Sequence, residues 1–139
     1  MIILDSNIIS EFMRDEPDPA VVTWLGEQPR ASVWTTSINV YEIRAGLHAM
    51  PAGKRRTSRV LTFEYILKET IQGRIAAFDL EAALAAAELE ARRNARGRPG
   101  DPRDTMIAGI VLASHATLAT RNVRHFDDIA SSVVNPWEA

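Results

Sequence analysis

An alternation constrains this chain more than any single motif does. Short runs rich in apolar and β-branched residues are separated by stretches with helical spacing, and no two of these runs flank a tight two-residue turn. "MIIL" reads as a buried strand, "SVWTT" as a second, "RIAAF" as a third and "TLAT" as a fourth, with "SVVNP" a short fifth. Between them lie helical patterns in "SNIISEFMR", "AVVTWLGEQ" and "INVYEIRAGLHAM". Val60, Leu61, Phe63, Ile66, Leu67 and Ile71 give one face of a further helix that Gly73 stops. Asp79 stands as the cap of a helix over 80–96, and "PRDTMIAGIVLASH" is apolar nearly all round, which predicts a buried helix. Strands that never meet in hairpins are joined by crossovers. The expectation is an α/β fold with a mainly parallel sheet of about four or five strands and helices on both faces.

The 139 residues are 46% apolar, enough for a packed core, and no repeat or Pro/Gly-rich seam divides them, so one domain over 1–139 is expected. There is no cysteine, which excludes a disulfide framework, a zinc–thiolate site and a thiol nucleophile, and suits a reducing cytoplasm. No basic stretch precedes an apolar run at the start, and no run approaches the roughly 20 apolar residues of a membrane span. Neither export nor a membrane is expected. The formal net charge of −2 does not announce a nucleic-acid binder. The basic residues are uneven, however. Arg92, Arg93, Arg96, Arg98 and Arg103 form one group, and Lys54, Arg55, Arg56 and Arg59 another. A solvated helix face accounts for either group alone.

In an open parallel sheet, ligands bind beyond the carboxyl ends of the strands. Asp5 stands there, directly after the first strand. Glu42 lies in the first turns of the helix after the second strand, Asp104 in the first turn of "PRDTMIAGI", and Asn122 just after "TLATR". Each has an ordinary account. Asp5 can cap a helix. Asn39, three residues before Glu42, resembles a capping box. In "DPRD", Asp101 can cap, Pro102 fits the first helical position, and Asp104 gains about 0.3–1 kcal/mol from the helix dipole. Taken together, several carboxylates at one sheet edge repel each other unless a cation neutralises them. With oxygen donors only, that cation is hard, and Mg²⁺ or Mn²⁺ fits. Such a site points to phosphoryl transfer by metal-activated water, with no His, Ser or Lys nucleophile required.

These residues carry a resemblance. "MIILDSNIISEFMR", "TTSINVYEIRAGL" around Glu42, "DPRDTMIAGIVLASH" around Asp104, "TLATRNVRHF" and "VNPW" follow in order along nearly the whole chain. Together they resemble the PIN-domain toxins of bacterial toxin–antitoxin modules, the VapC and FitB-like group. The resemblance implies a PIN fold and a metal-dependent endoribonuclease. It implies that Asp5, Glu42 and Asp104 match the acidic metal-binding positions, with Glu42 acting from behind the direct ligands or through water, and that Ser6 and Asn7 match supporting positions of the first motif. It also implies a homodimer, an antitoxin partner that covers the active site, and an RNA substrate. One departure matters. The usual fourth acidic position is here Asn122, a neutral oxygen donor at which a second ion binds more weakly or through water. Asp127 and Asp128, further on, read as surface acids. Arg92, Arg93, Arg96, Arg98 and Arg121 become candidates for RNA contact, in competition with antitoxin contact and plain solvation.

The rest of the chain offers less. His48, His115 and His125 have no ligand spacing, and only His125 falls near the expected site, as a candidate substrate contact. Trp24 and Trp34 are expected in the core, and Trp137 packed back on the body. A catalytically weakened PIN-like module that binds RNA or a protein is the main rival, and Asn122 is its support. A dehalogenase-like phosphatase needs an Asp two residues after the first, where Asn7 stands. A phospho-receiver needs a Lys near its last strand, whereas the lysines here are Lys54 and Lys68. No glycine-rich lysine loop is present for a P-loop kinase.

Overall fold

The computed structural model describes residues 1–139. Five strands are present: β1 (Ile2–Leu4), β2 (Val33–Thr36), β3 (Ile75–Ala76), β4 (Thr117–Ala119) and β5 (Val133–Val134). They form one sheet in the order β3-β2-β1-β4-β5, and every pairing is parallel. Six α-helices connect them: α1 (Ser6–Phe12), α2 (Pro19–Gly26), α3 (Ser37–Ala49), α4 (Lys54–Tyr65), α5 (Leu80–Ala95) and α6 (Pro102–Ser114). The expected α/β fold with helices on both faces is what forms. No helix is long and apolar enough to cross a membrane.

The two-residue period of β1 separates two cores. Leu4 packs with Ile8, Ile9, Ile43, Leu47 and Phe63 under α1, α3 and α4. Ile3, one residue earlier, points the other way and packs with Leu89, Ile107, Val111, Leu118 and Phe126 under α5 and α6. Ile3 is in register with Trp34 on one side and Leu118 on the other. Both faces of the central strand are therefore dry, each fully buried aliphatic side chain contributing about 1.5–3 kcal/mol. Trp24, Trp34 and Trp137 are half-buried against these cores, as expected.

Connectivity places the functional edge. From β1 the chain moves to β2 and β3 with its helices on one face, then returns over the other face through α5 and α6 to β4. The connections leave β1 in opposite directions, so the carboxyl ends of β1 and β4 border a switch-point crevice. Asp5, immediately after β1, bonds through its backbone N–H to the Ala119 carbonyl at 2.9 Å.

Several local details differ from the sequence reading. The helix expected to run on to Gly73 changes to a π-helical segment over Ile66–Ile71, and Gln72 takes a left-handed conformation before Gly73. The cap of α3 is Thr36, whose hydroxyl accepts from Asn39 N–H, so the anticipated Asn39–Glu42 capping box does not form. Thr36 wins because β2 runs straight into α3 and leaves it at the junction. Of the basic group at 54–59, Lys54 and Arg55 are exposed, while Arg59 donates to the Met13 carbonyl. Glu11 was not anticipated. It is buried on α1, accepts from Asp18 N–H at 2.8 Å and pairs with Arg14 at 3.0 Å, fixing the turn into α2.

Helices α5 and α6 meet at Gly109, which is buried. A Cβ there would stand 2.4 Å from the Ala82 carbonyl oxygen and 2.7 Å from Ala86 Cβ. Gly46, on the exposed side of α3, has nothing within 4 Å of its Cβ position. Opposite outcomes are expected from the same substitution. Gly109→Ala forces the helices apart and costs about 1–3 kcal/mol. Gly46→Ala gains roughly 0.5–1 kcal/mol from helix propensity. Urea midpoints of the two variants check both signs; a neutral Gly109→Ala would show that the α5–α6 contact is loose.

Candidate active site

Asp5 is almost fully buried, and three short donors meet its oxygens while leaving acceptor capacity free. Its Oδ1 accepts from Ser6 N–H at 2.8 Å and from Asn39 Nδ2 at 2.9 Å. Its Oδ2 accepts from Thr120 Oγ1 at 2.7 Å, with Asn7 Nδ2 at 3.4 Å. A carboxylate can leave water only when its lone pairs are met in this way. The donors come from α1, α3 and the exit of β4, so the carboxylate knits three chain segments together. The capping role anticipated for Asp5 is present.

Further hydrogen bonds aim those donors. Thr36 Oγ1 donates to Asn39 Oδ1 at 2.6 Å, which turns the Asn39 amide toward Asp5 and Ser6. Thr120 Oγ1 accepts from Asn122 N–H at 3.0 Å while it donates to Asp5. Asn7 spans to the same loop, accepting from Arg121 N–H at 3.1 Å. Asn39 and Thr120 are the site residues that sequence reasoning missed. Their signal was positional: Thr120 directly follows β4 as Asp5 follows β1, and Asn39 lies in the first turn after β2.

Glu42 sits one turn beyond Asn39 on α3. Its Oε1 accepts from Ser6 Oγ at 2.9 Å, and Arg103 Nε reaches its Oε2 at 3.9 Å from α6. Asp104 follows Pro102 and Arg103 in the first turn of α6, where Asp101 caps as anticipated. Asp104 Oδ2 meets His125 Nδ1 at 2.9 Å. Glu42 takes up a proton more readily than an ordinary carboxyl, chiefly because it is part-buried, and the charges of Asp5 and Asp104 add to this. Asp104 is also raised, again first by burial and then by the Asp5 charge, with His125 acting in the opposite sense. The three acids thus feel one another across the crevice, and the negative charge there is only partly compensated by Arg103 and His125.

Asn122 lies exposed, one hydrogen bond beyond Thr120. The arginine group separates into different environments. Arg93 is buried and fully engaged: Nε and Nη2 grip Asp128 at 2.8 Å each, Nη1 donates to Thr105 Oγ1 at 3.0 Å, and Nη2 also donates to the His125 carbonyl at 2.9 Å. This removes Arg93 from the candidate RNA contacts, because its donors are spent inside the protein. It also corrects the reading of Asp128 as a surface acid; the Arg93 hydrogen bonds hold its carboxyl below the ordinary range. Arg92 pairs with Glu88 on the outer face of α5. Arg121 stacks over Trp137 at 4.7 Å. Arg96 and Arg98 are exposed beside Asp104.

The donor set suits a hard divalent cation. No group of three or more carboxylates or imidazoles is drawn together closely enough to hold a metal ion by itself. Mg²⁺ does not demand one, since it takes one or two carboxylates and completes its shell with water and substrate oxygens. Asp5 and Asp104 are the residues that would hold it, with Glu42 contributing directly or through water.

Comparison with known proteins agrees with this architecture. The PIN domain family matches residues 2–131. Plasmid stability protein StbB of Pseudomonas syringae pv. tomato is 40% identical, over the full length of both chains. A VapC ribonuclease of Sinorhizobium fredii is 38% identical over 99% of each chain, and toxin FitB of Neisseria gonorrhoeae is 31% identical over 99% of each. Among solved structures, FitAcB from Neisseria gonorrhoeae superposes with a TM-score of 0.86 at 32% identity, covering 100% of both chains. A FitAB complex bound to a DNA fragment gives 0.89 at 31% identity, covering 99% of this chain and 96% of that one. By family match, by identity over nearly its whole length and by fold, this chain belongs to the PIN-domain family, in its VapC and FitB-like group.

Proposed function

We propose that this protein is a metal-dependent endoribonuclease and the toxin of a toxin–antitoxin pair. The observation that carries the reading is the convergence of Asp5, Glu42 and Asp104 from three separate elements onto one switch-point crevice, two of them with raised proton affinity. A Mg²⁺ or Mn²⁺ ion bound there would activate water and offset charge at the scissile phosphate. The chain's own work is positioning. Asn39, Thr120 and Ser6 lock Asp5 in one orientation. Ser6 and Arg103 steer Glu42, and His125 steadies Asp104. Kinship with a VapC ribonuclease supports RNA as the substrate, and kinship with FitB, found in FitAB, supports a cognate antitoxin partner. A homodimer belongs to the same proposal.

RNA cleavage by antitoxin-free protein is expected with Mg²⁺ or Mn²⁺ and not with a chelator. Asp5→Asn or Asp104→Asn should reduce it by more than the roughly 10–100-fold that loss of an outer-shell partner costs. Equal cleavage by wild type and Asp104→Asn would contradict the assignment. Absence of cleavage together with absence of Mg²⁺ or Mn²⁺ binding would favour the inert binding module.

The raised carboxyls also set a pH dependence for the metal-free fold. Below the ordinary carboxyl values, folded and unfolded chains are both protonated at Glu42 and Asp104, and there is no penalty. As pH rises, the unfolded chain loses these protons first, so the two sites lower stability until pH passes their raised folded values. In chelator, Asp104→Asn should therefore melt above wild type at neutral pH, with the gap closing as pH falls. A pH-independent gap, or a less stable variant at neutral pH, would contradict repulsion and burial as the cause.

A further inference from the structure

We propose that a cavity of about 310 Å³ beside Asp104 binds a backbone phosphate of RNA neighbouring the cleaved one, through Arg96, Arg98 and Arg124. The inference rests on the ribonuclease reading and adds where the substrate strand runs. Arg96 ends α5, Arg98 lies in the loop to α6, and Arg124 comes from the short 3-10 turn Val123–Phe126. All three are exposed, and the ion pairs of the chain engage other arginines.

Two of the four acids lining the same cavity are engaged elsewhere. Asp128 is paired with Arg93, and Asp104 belongs with Asp5 and Glu42 to the crevice proposed to hold the cation. Asp101 and Asp127 remain against the three guanidiniums. With Asp104 counted in the crevice, three guanidiniums face two carboxylates, a local excess of one positive charge in a chain whose net charge is −2. Guanidinium forks suit phosphate oxygens.

The cavity is also built rather than incidental. Arg93, buried beneath it, ties α5 to Asp128, to Thr105 and to the His125 carbonyl. The α5–α6 loop lies tightly on this clamp: a Cβ at Gly100 would come within 2.7 Å of Arg93 Nη1. No apolar side chain larger than Pro99 lines the walls. A protein partner anchors itself through aromatic and aliphatic side chains, which find no pocket here. A phosphodiester strand needs none. Asp104 and His125 belong both to this cavity and to the acid crevice, so one strand can reach both.

The test is binding of a fluorescent single-stranded RNA to the full chain in chelator, across a salt series. Arg96→Ala, Arg98→Ala and Arg124→Ala should each weaken binding several-fold. Each should lower the slope of log affinity against log salt by about 0.7 for the lost phosphate contact. Arg92→Ala, whose partner is Glu88, is the control and should leave both unchanged. Melting temperatures confirm folding. Unchanged affinity and slope in all three variants would overturn the subsite. So would an acidic peptide that competes as well as RNA of equal charge. Cleavage by wild type with Mg²⁺, measured on the same RNA, separates the two readings. Cleavage without arginine effects sinks the subsite alone, whereas arginine effects without cleavage sink the nuclease and leave the subsite.

Discussion

The structure depends on one buried carboxylate. Asp5 sits where the chain exits the central strand, removed from water, and remains tolerable only because Ser6, Asn39 and Thr120 meet its oxygens. Each donor belongs to a different part of the chain. Satisfying Asp5 therefore requires β1, β2 and β4 to be in register and α3 to start where it does. A fold that must complete this network is held to one arrangement at its functional edge. The same network leaves the approach from solvent to Glu42 and Asp104, which are only part-buried.

Two opposite charge environments share α6. Toward the β1 exit, Asp104 joins Asp5 and Glu42 in an excess of negative charge. Toward the α5–α6 loop, Arg96, Arg98 and Arg124 give an excess of positive charge. The Arg93–Asp128 pair lies beneath the second region and shapes it without adding to its net charge, since the paired cation and anion cancel. An acidic crevice that favours a cation, next to a basic cavity that favours an anion, is a coherent arrangement for a metal acting on a phosphate chain.

Much of this was legible in the sequence, because the relevant signals are local. The "MIIL", "SVWTT" and "TLAT" runs and the missing hairpins specify a parallel sheet. The position of an acid just past a strand, or in the first turn of a helix, specifies which edge it occupies. Asp101, Pro102 and Asp104 behave as their order predicts. What escaped was non-local. Nothing around Arg93 in the chain announces that its partner is Asp128, 35 residues away, or that it is buried while Arg92 and Arg96 are not. Thr120 and Asn39 gain meaning only when β1, β2 and β4 lie side by side. The Thr36 cap displaced the anticipated Asn39 cap because the strand and helix join without a loop.

The most direct test of the central claim is to locate a bound ion. Crystals of the antitoxin-free protein soaked in Mn²⁺, measured at the manganese absorption edge, should show an anomalous peak contacted by Asp5 and Asp104, directly or through water, and absent in Asp104→Asn. A clear peak elsewhere, or none at saturating Mn²⁺ in crystals where the crevice is open to solvent, would contradict the assignment of these acids as a metal site.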